Sequence, residues 1–390
     1  WRDGLQAWSE ENLRDRSWRY MAPVLVSAPD DLIQALKQGV SWWLRSMAKT
    51  FQGHDAHFLA LARRILQLDF EPEDGTDDPV FHAINHPVGH VTQALLDWWY
   101  RQGLEDGQKL TEAIKPVFSK LCDTGVVKFR HGRLLLAAHV ITLFRVDGSW
   151  AQQYLLPLFD WWRSETEARA AWEGFLWSPR LYRPLMEVLK SAFLETANHY
   201  AQLGEHGRQY ASLLTFAALD PGDTFTISEL ASAVRALPSE GLREAAEALT
   251  KALEGAGDRR EDYWKNRIQP FWERIWPKSN DRAADTQAES LARLCIAAGG
   301  EFASAMARVG NWLQTVEHPD HVIRELDESG LCTRFPDDAL QLLDAILGDQ
   351  PSWLPSELRQ CLNAIAQAAP NLRQDRRFMR VDELARRFGV

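Results

Sequence analysis

The sequence predicts an all-α protein built of stacked helical pairs, a HEAT-like irregular solenoid, on three observations. Apolar residues recur at steps of three and four through most of the 390 residues. No segment longer than about four residues alternates β-branched or aromatic with polar side chains, so the usual signature of a strand is missing. Turn-forming clusters interrupt the chain at short intervals, as expected where antiparallel helices stack on their sequence neighbours.

The clearest stripe runs through residues 181–200, where Leu185, Met186, Leu189, Phe193, Ala197 and Tyr200 predict one amphipathic helix of about five turns. Comparable stripes occupy residues 32–47, 88–100, 134–144, 291–298 and 354–368. Thr226 with Glu229, Ser164 with Glu167 and Thr286 with Glu289 fit the capping box that opens a helix. Stops are equally plain at residues 220–223 and 277–281. The longest polar interruption, residues 71–79 (EPEDGTDDP), joins with the break at 277–281 to predict three regions. These are an N-terminal helical segment (1–76), a central helical repeat region (77–276) and a C-terminal helical region (277–390).

Tryptophan, with 17 residues, is the compositional outlier and suggests a degenerate repeat. Three helices end alike, in SWWLR, DWWYR and DWWR, with the pairs beginning at Trp42, Trp98 and Trp161. Such a pair lets one indole enter the seam between helices while the other covers the turn, with an Arg at hand to lie over a ring face.

A chain 45% hydrophobic can bury a large core without disulfides or a structural metal. Its four cysteines, Cys122, Cys295, Cys332 and Cys361, show no zinc-ligand spacing, and Cys295 and Cys361 fall on apolar stripes. Free thiols point to a reducing cytoplasm. No apolar run approaches the length of a membrane span, and the net charge of -10 opposes nucleic acid as the main partner. The chain opens at Trp1 with a charged amphipathic stretch, which reads as a piece of a longer protein.

Candidate chemistry is sparse. His82, His86 and His90 step by four and are the candidate metal ligands, with Asp77 or Asp78 able to complete a site. Pro87 argues against it, because a proline belongs to the first helical turn and would leave His82 on the preceding segment. His139, inside LLLAAHVI, reads as a hydrogen-bonded core histidine. Glu165 with Glu167 reads as a solvated pair on a charged helix, and Lys128, Arg130, His131 and Arg133 form a short basic knot. No nucleophile elbow, zinc-protease motif or phosphate loop occurs, so no catalytic or cofactor-binding residue is assigned and no cofactor is expected. Trp98, Trp161, Arg376 and Arg377 are the candidate partner contacts, since Trp and Arg dominate interface hot spots.

The segments INHPVGHVTQALLDWWY (84–100) and FRHGRLLLAAHVITLF (129–144) resemble the helical C-terminal region of bacterial sirtuin-like (SIR2) anti-phage defence proteins, over residues 80–350. The resemblance implies a setting in which an N-terminal sirtuin-like domain hydrolyses NAD while the helical part senses a phage component or holds the oligomer. The sirtuin's own glycine-rich NAD loop and catalytic histidine motif are not found in these residues. The expectation is therefore a non-catalytic, cytoplasmic protein-binding, sensor or oligomerisation module of a larger antiviral protein. The alternatives are a helical-repeat scaffold unrelated to NAD chemistry and an all-α metal-dependent enzyme using His86 and His90.

Overall fold

A computed structural model describes residues 4–5, 8–10, 13–53, 55–71, 78–278, 285–351 and 353–390. The protein is all-α: its described elements are α-helices joined by short 3-10 and π segments, and among the described residues there is no strand. It divides into two compact units, Trp1–Ala192 and Phe193–Val390. The loop expected to separate the first two regions and the break expected before the third fall largely on residues 72–77 and 279–284, outside the described residues.

The main helices of the first unit are α1 (Arg14–Ser27), α2 (Asp30–Ala48), α3 (Asp55–Gln67), α4 (Pro79–Asn85), α5 (Pro87–Tyr100), α6 (Lys115–Leu121), α7 (Arg130–Ala138), α8 (Val140–Val146) and α9 (Glu165–Leu176). They pack in pairs, most extensively α2 with α5 and α7 with α9. These partners are not sequence neighbours, as had been expected. Helices α3 and α4 lie between α2 and α5 in the chain, and α8 with short 3-10 and π segments lies between α7 and α9.

Aromatic rings fill the seams. Trp18 stacks on Trp43 at 5.4 Å and lies 4.5 Å from Phe51, which stacks on Phe58 at 5.1 Å. A second cluster joins Val80 and Ala83 of α4 to Leu134 and Leu135 of α7 and Ala170 of α9. Backbones approach closely here. A Cβ at Gly89 would lie 1.6 Å from the Ala83 carbonyl oxygen, and one at Gly174 would lie 2.3 Å from that of Leu134.

A helix α10 (Arg183–Glu195) carries the boundary between the units. The single helix predicted over 181–200 is instead α10 followed by a 3-10 segment, Thr196–His206, bent at His199 and at Gly204 with φ +51°. Packing accounts for the tighter winding. It sets the buried ring of Tyr200 against Gly207 and Gly241, where added Cβ atoms would meet the ring at 2.9 and 3.1 Å. The helix predicted over 134–144 likewise breaks at His139, between α7 and α8.

The second unit contains α11 (Gly207–Leu219), α12 (Ile227–Ala236), α13 (Ser239–Gly255), α14 (Asp285–Ala297), α15 (Phe302–Val309), α16 (Asp320–Glu328), α17 (Leu331–Arg334), α18 (Pro336–Ile346), α19 (Glu357–Ala368) and α20 (Arg376–Phe388). Helix α13 packs on both α11 and α14, and α19 packs on α16, α17 and α18. Thr226 and Glu229 form the full capping box at α12. At α9 only half of the box forms, because Glu167 turns to an arginine instead of back to Ser164. The third expected box rests on the Thr286 side chain, outside the described residues.

Candidate functional site

The histidine segment sits in the first unit, and the proline splits it as the spacing suggested. Asp78 caps α4 by accepting from the Phe81 amide at 2.9 Å. His86 then ends α4 and caps α5, its Nδ1 accepting from the Val88 amide at 3.1 Å with Pro87 in the first turn. An imidazole holding that cap must be neutral, with its proton on Nε2.

His131 of α7, read from sequence only as part of the basic knot, joins this segment. Its ring stacks on His86 at 4.1 Å and 18°, and Phe70 covers His86 from 4.7 Å. Burial, with the neighbouring charges of His131, His90, Lys37 and Lys128, lowers the His86 pKa to about 3. Burial, with Arg130, His82 and Arg133, lowers that of His131 to about 4. His90 lies with Nδ1 3.1 Å from Ser41 Oγ, and burial and Arg45 bring it to about 4. His82 sets its ring edge-on to Phe81. Each ring thus answers to a different neighbour. Lone pairs lie in the ring plane, so the parallel His86 and His131 rings direct theirs side by side and not toward one point. Asp77 is outside the described residues.

The basic knot is turned inward. Arg133 is 1% exposed and grips Glu167 through Nε at 2.7 Å and Nη2 at 2.9 Å, while its Nη1 donates to the carbonyls of Asp123 and Val126. Arg130 adds a bond to Glu167 at 2.9 Å. Glu167 is therefore a buried partner of two arginines and not a solvated acid, and Arg133 is not available to a phosphate backbone. Burial raises the Glu167 pKa, but hydrogen bonds and charge from Arg133 and Arg130 outweigh it and hold the carboxyl below its ordinary range. His139, half-buried, pairs its Nδ1 with the Tyr100 hydroxyl at 2.8 Å, the hydrogen-bonded role expected of it.

Of the candidate partner contacts, Trp98 and Trp161 are 7% and 3% exposed and belong to the core, Trp98 donating to Asp55 at 2.9 Å. A bifunctional indole buries best when its N–H has a partner. Among the three pairs the exposed indole is Trp162, 84% exposed, whereas Trp43 and Trp99 are buried. Trp177 and Leu181 are also exposed, so three large apolar groups flank the two ends of α9. The repeated WW signal marked these places but did not tell that only the pair at 161–162 turns an indole outward. In the second unit Arg376 is exposed, whereas Arg377 is tied to Asp375 at 2.8 Å and Asp337 at 2.7 Å.

The four cysteines are buried free thiols. Cys361 Sγ donates to the Ile323 carbonyl of α16 at 3.8 Å. Among the described residues, no group of three or more His, Cys, Asp or Glu side chains could hold a metal ion, and no helix is long and apolar enough to cross a membrane.

No protein-family model matches the chain. No solved structure matches it either. Over 134 residues, 34% of its length, the chain is 29% identical to the uncharacterized protein y4cA of Sinorhizobium fredii (strain NBRC 101917 / NGR234). The likeness spans 11% of the length of that relative.

Proposed function

We propose that this chain is a non-catalytic helical module that binds a protein, a phage component or further copies of itself, within a larger cytoplasmic antiviral protein of the sirtuin-like, NAD-depleting kind. In this reading the helical pairs continue as an irregular HEAT-like stack, and the NAD chemistry belongs to another part of the parent protein. The observation that carries it is the exposed indole of Trp162, 84% exposed beside the buried Trp161 just before α9. An indole left in water costs solvation that a partner recovers, and desolvated Trp anchors dominate binding energy.

The test uses the purified chain. It leaves NAD intact and associates with its own copies or a phage protein, and Trp162→Ala and Trp177→Ala each weaken that association by about 2 kcal/mol or more. NAD hydrolysis by the chain overturns the division of labour. Association indifferent to both substitutions, measured by sedimentation, overturns the binding surface.

A further inference from the structure

We propose that a cleft beside α20 in the second unit is a docking site for an acidic peptide segment carrying a large apolar side chain. The inference rests on the reading of the chain as a protein-binding module, and it names a surface and a partner chemistry for it.

The cleft, of about 770 Å³, lies between α19, the 3-10 turn Pro370–Gln374 and α20. Its floor is apolar. Leu362 and Ala366 of α19 meet Phe378 of α20, all three buried, and Met379 stands 52% exposed at the side. The exposed Met379 leaves thioether and methyl surface in water, and a flexible Met adapts to an incoming side chain.

The walls are charged, and the charges do not cancel. Asp382 is held by Arg359 at 2.5 Å and by Arg386 at 2.5 Å, so one carboxylate faces two guanidiniums. Arg359 also donates through Nε and Nη2 to the Val390 carbonyl, which fixes it in place. Arg373 on the turn is exposed and forms no hydrogen bond or ion pair with a described residue. Arg376 is in the same condition, and it precedes Met379, Glu383 and Arg386 on one stripe of α20 at steps of three and four. Against the three arginines that line the cleft, Arg359, Arg373 and Arg386, stand Asp382, already shared, and Glu383, exposed on the wall, and Arg376 stands beside the cleft at the start of α20. The remaining arginines of α20 are engaged, Arg377 with Asp375 and Asp337, Arg380 with Asp344 and Arg387 with the Asp349 carbonyl.

Guanidiniums without partners are suited to bidentate pairing with carboxylates. A nucleic acid fits less well. Its backbone asks for a continuous basic track, whereas this cleft interleaves Asp382 and Glu383 with its arginines and offers an apolar floor between them. The chain as a whole is acidic, so a local positive excess is a selective feature of this surface.

The experiment measures fluorescence anisotropy on the full chain with a labelled peptide of alternating Asp and Glu around a central Leu-Phe. Three comparison probes carry Ser in place of Leu-Phe, Lys in place of the acids, or single-stranded oligothymidylate. The acidic apolar peptide is expected to bind at least ten-fold more tightly than each of the three. Arg373→Glu with Arg376→Glu weakens it ten-fold or more, and Glu383→Gln tightens it several-fold by removing a like charge. All three positions are exposed, so an unchanged melting temperature and helical circular dichroism accompany these effects. Absence of binding up to millimolar peptide, indifference to the double reversal, or tighter binding of the oligothymidylate overturns the proposal. Retention of Trp162-dependent association in that case leaves the module reading standing and removes only the cleft.

Discussion

Arg133 and Glu167 illustrate how residues of one kind diverge once buried. A buried ion pair is weak ground for net stability, but removing one member leaves the other charge uncompensated. Glu167→Gln is therefore expected to cost about 3 to 5 kcal/mol in urea unfolding, because Arg133 stays 1% exposed with no anion. A loss under about 1 kcal/mol would show that the carbonyls of Asp123 and Val126 suffice to hold the guanidinium. Glu173, two turns along α9, behaves oppositely. It is also buried, but Arg169 reaches one oxygen at 2.8 Å while Oε2 has no partner among the described residues, and burial raises its pKa. Glu173→Gln should change stability at pH 7 by no more than about 1 kcal/mol, toward stabilisation, as the same unfolding curves would read. In the sequence the acids of α9 look alike. What separates them is which guanidinium each meets, and Arg133 lies more than thirty positions from Glu167.

At the scale of the element, helix starts are local chemistry and helix ends are often not. His86 with Pro87 and Thr226 with Glu229 act through the nearest amides, so they were readable from spacing, and Asp78 caps α4 in the same way although its sequence reading was only that of a possible metal ligand. The bend at His199 depends on Tyr200 reaching Gly207 and Gly241, and no periodicity reports that. Glycines divide in the same way. Gly89 and Gly255 both sit in helices, yet a Cβ at Gly89 collides with the Ala83 carbonyl while one at Gly255 meets nothing within 4 Å. Gly89→Ala is expected to destabilise by about 3 kcal/mol or more, since backbone must move. Gly255→Ala is expected to stabilise by about 0.4 to 1 kcal/mol through the unfolded chain. Thermal melts of the two variants check the pair, and equal effects would refute the close contact between α4 and α5.

For the whole molecule, two buried imidazoles and a half-buried one give a direction to pH dependence. The pKa values of His86, His90 and His131 lie at about 3, 4 and 4 in the folded protein, below the ordinary 6.5. Between those values the unfolded chain binds more protons, so stability is complete above about pH 6.5 and falls as the pH drops toward 4. Glu167, with its lowered pKa, adds to the loss only at still lower pH. Urea midpoints from pH 8 to 5 should fall on the acid side, and His86→Asn, which keeps a capping acceptor for Val88, should flatten the slope. A midpoint that is flat or rises toward pH 5 contradicts the burial of these rings.

The sequence by itself determined the all-α class, the helix starts at Pro87 and after Thr226, and the break that Pro87 places between His82 and His86, because periodicity, caps and proline act within a turn or two. Only the tertiary structure decided that α2 packs more extensively on α5 than on its neighbours α1 and α3, that His131 stacks on His86, that Arg133 and Glu167 face inward, and that Trp162 faces out while Trp161 does not. Those outcomes depend on which surfaces meet across many residues of chain, where burial, charge pairing and the room left by a glycine settle positions that local pattern leaves equivalent.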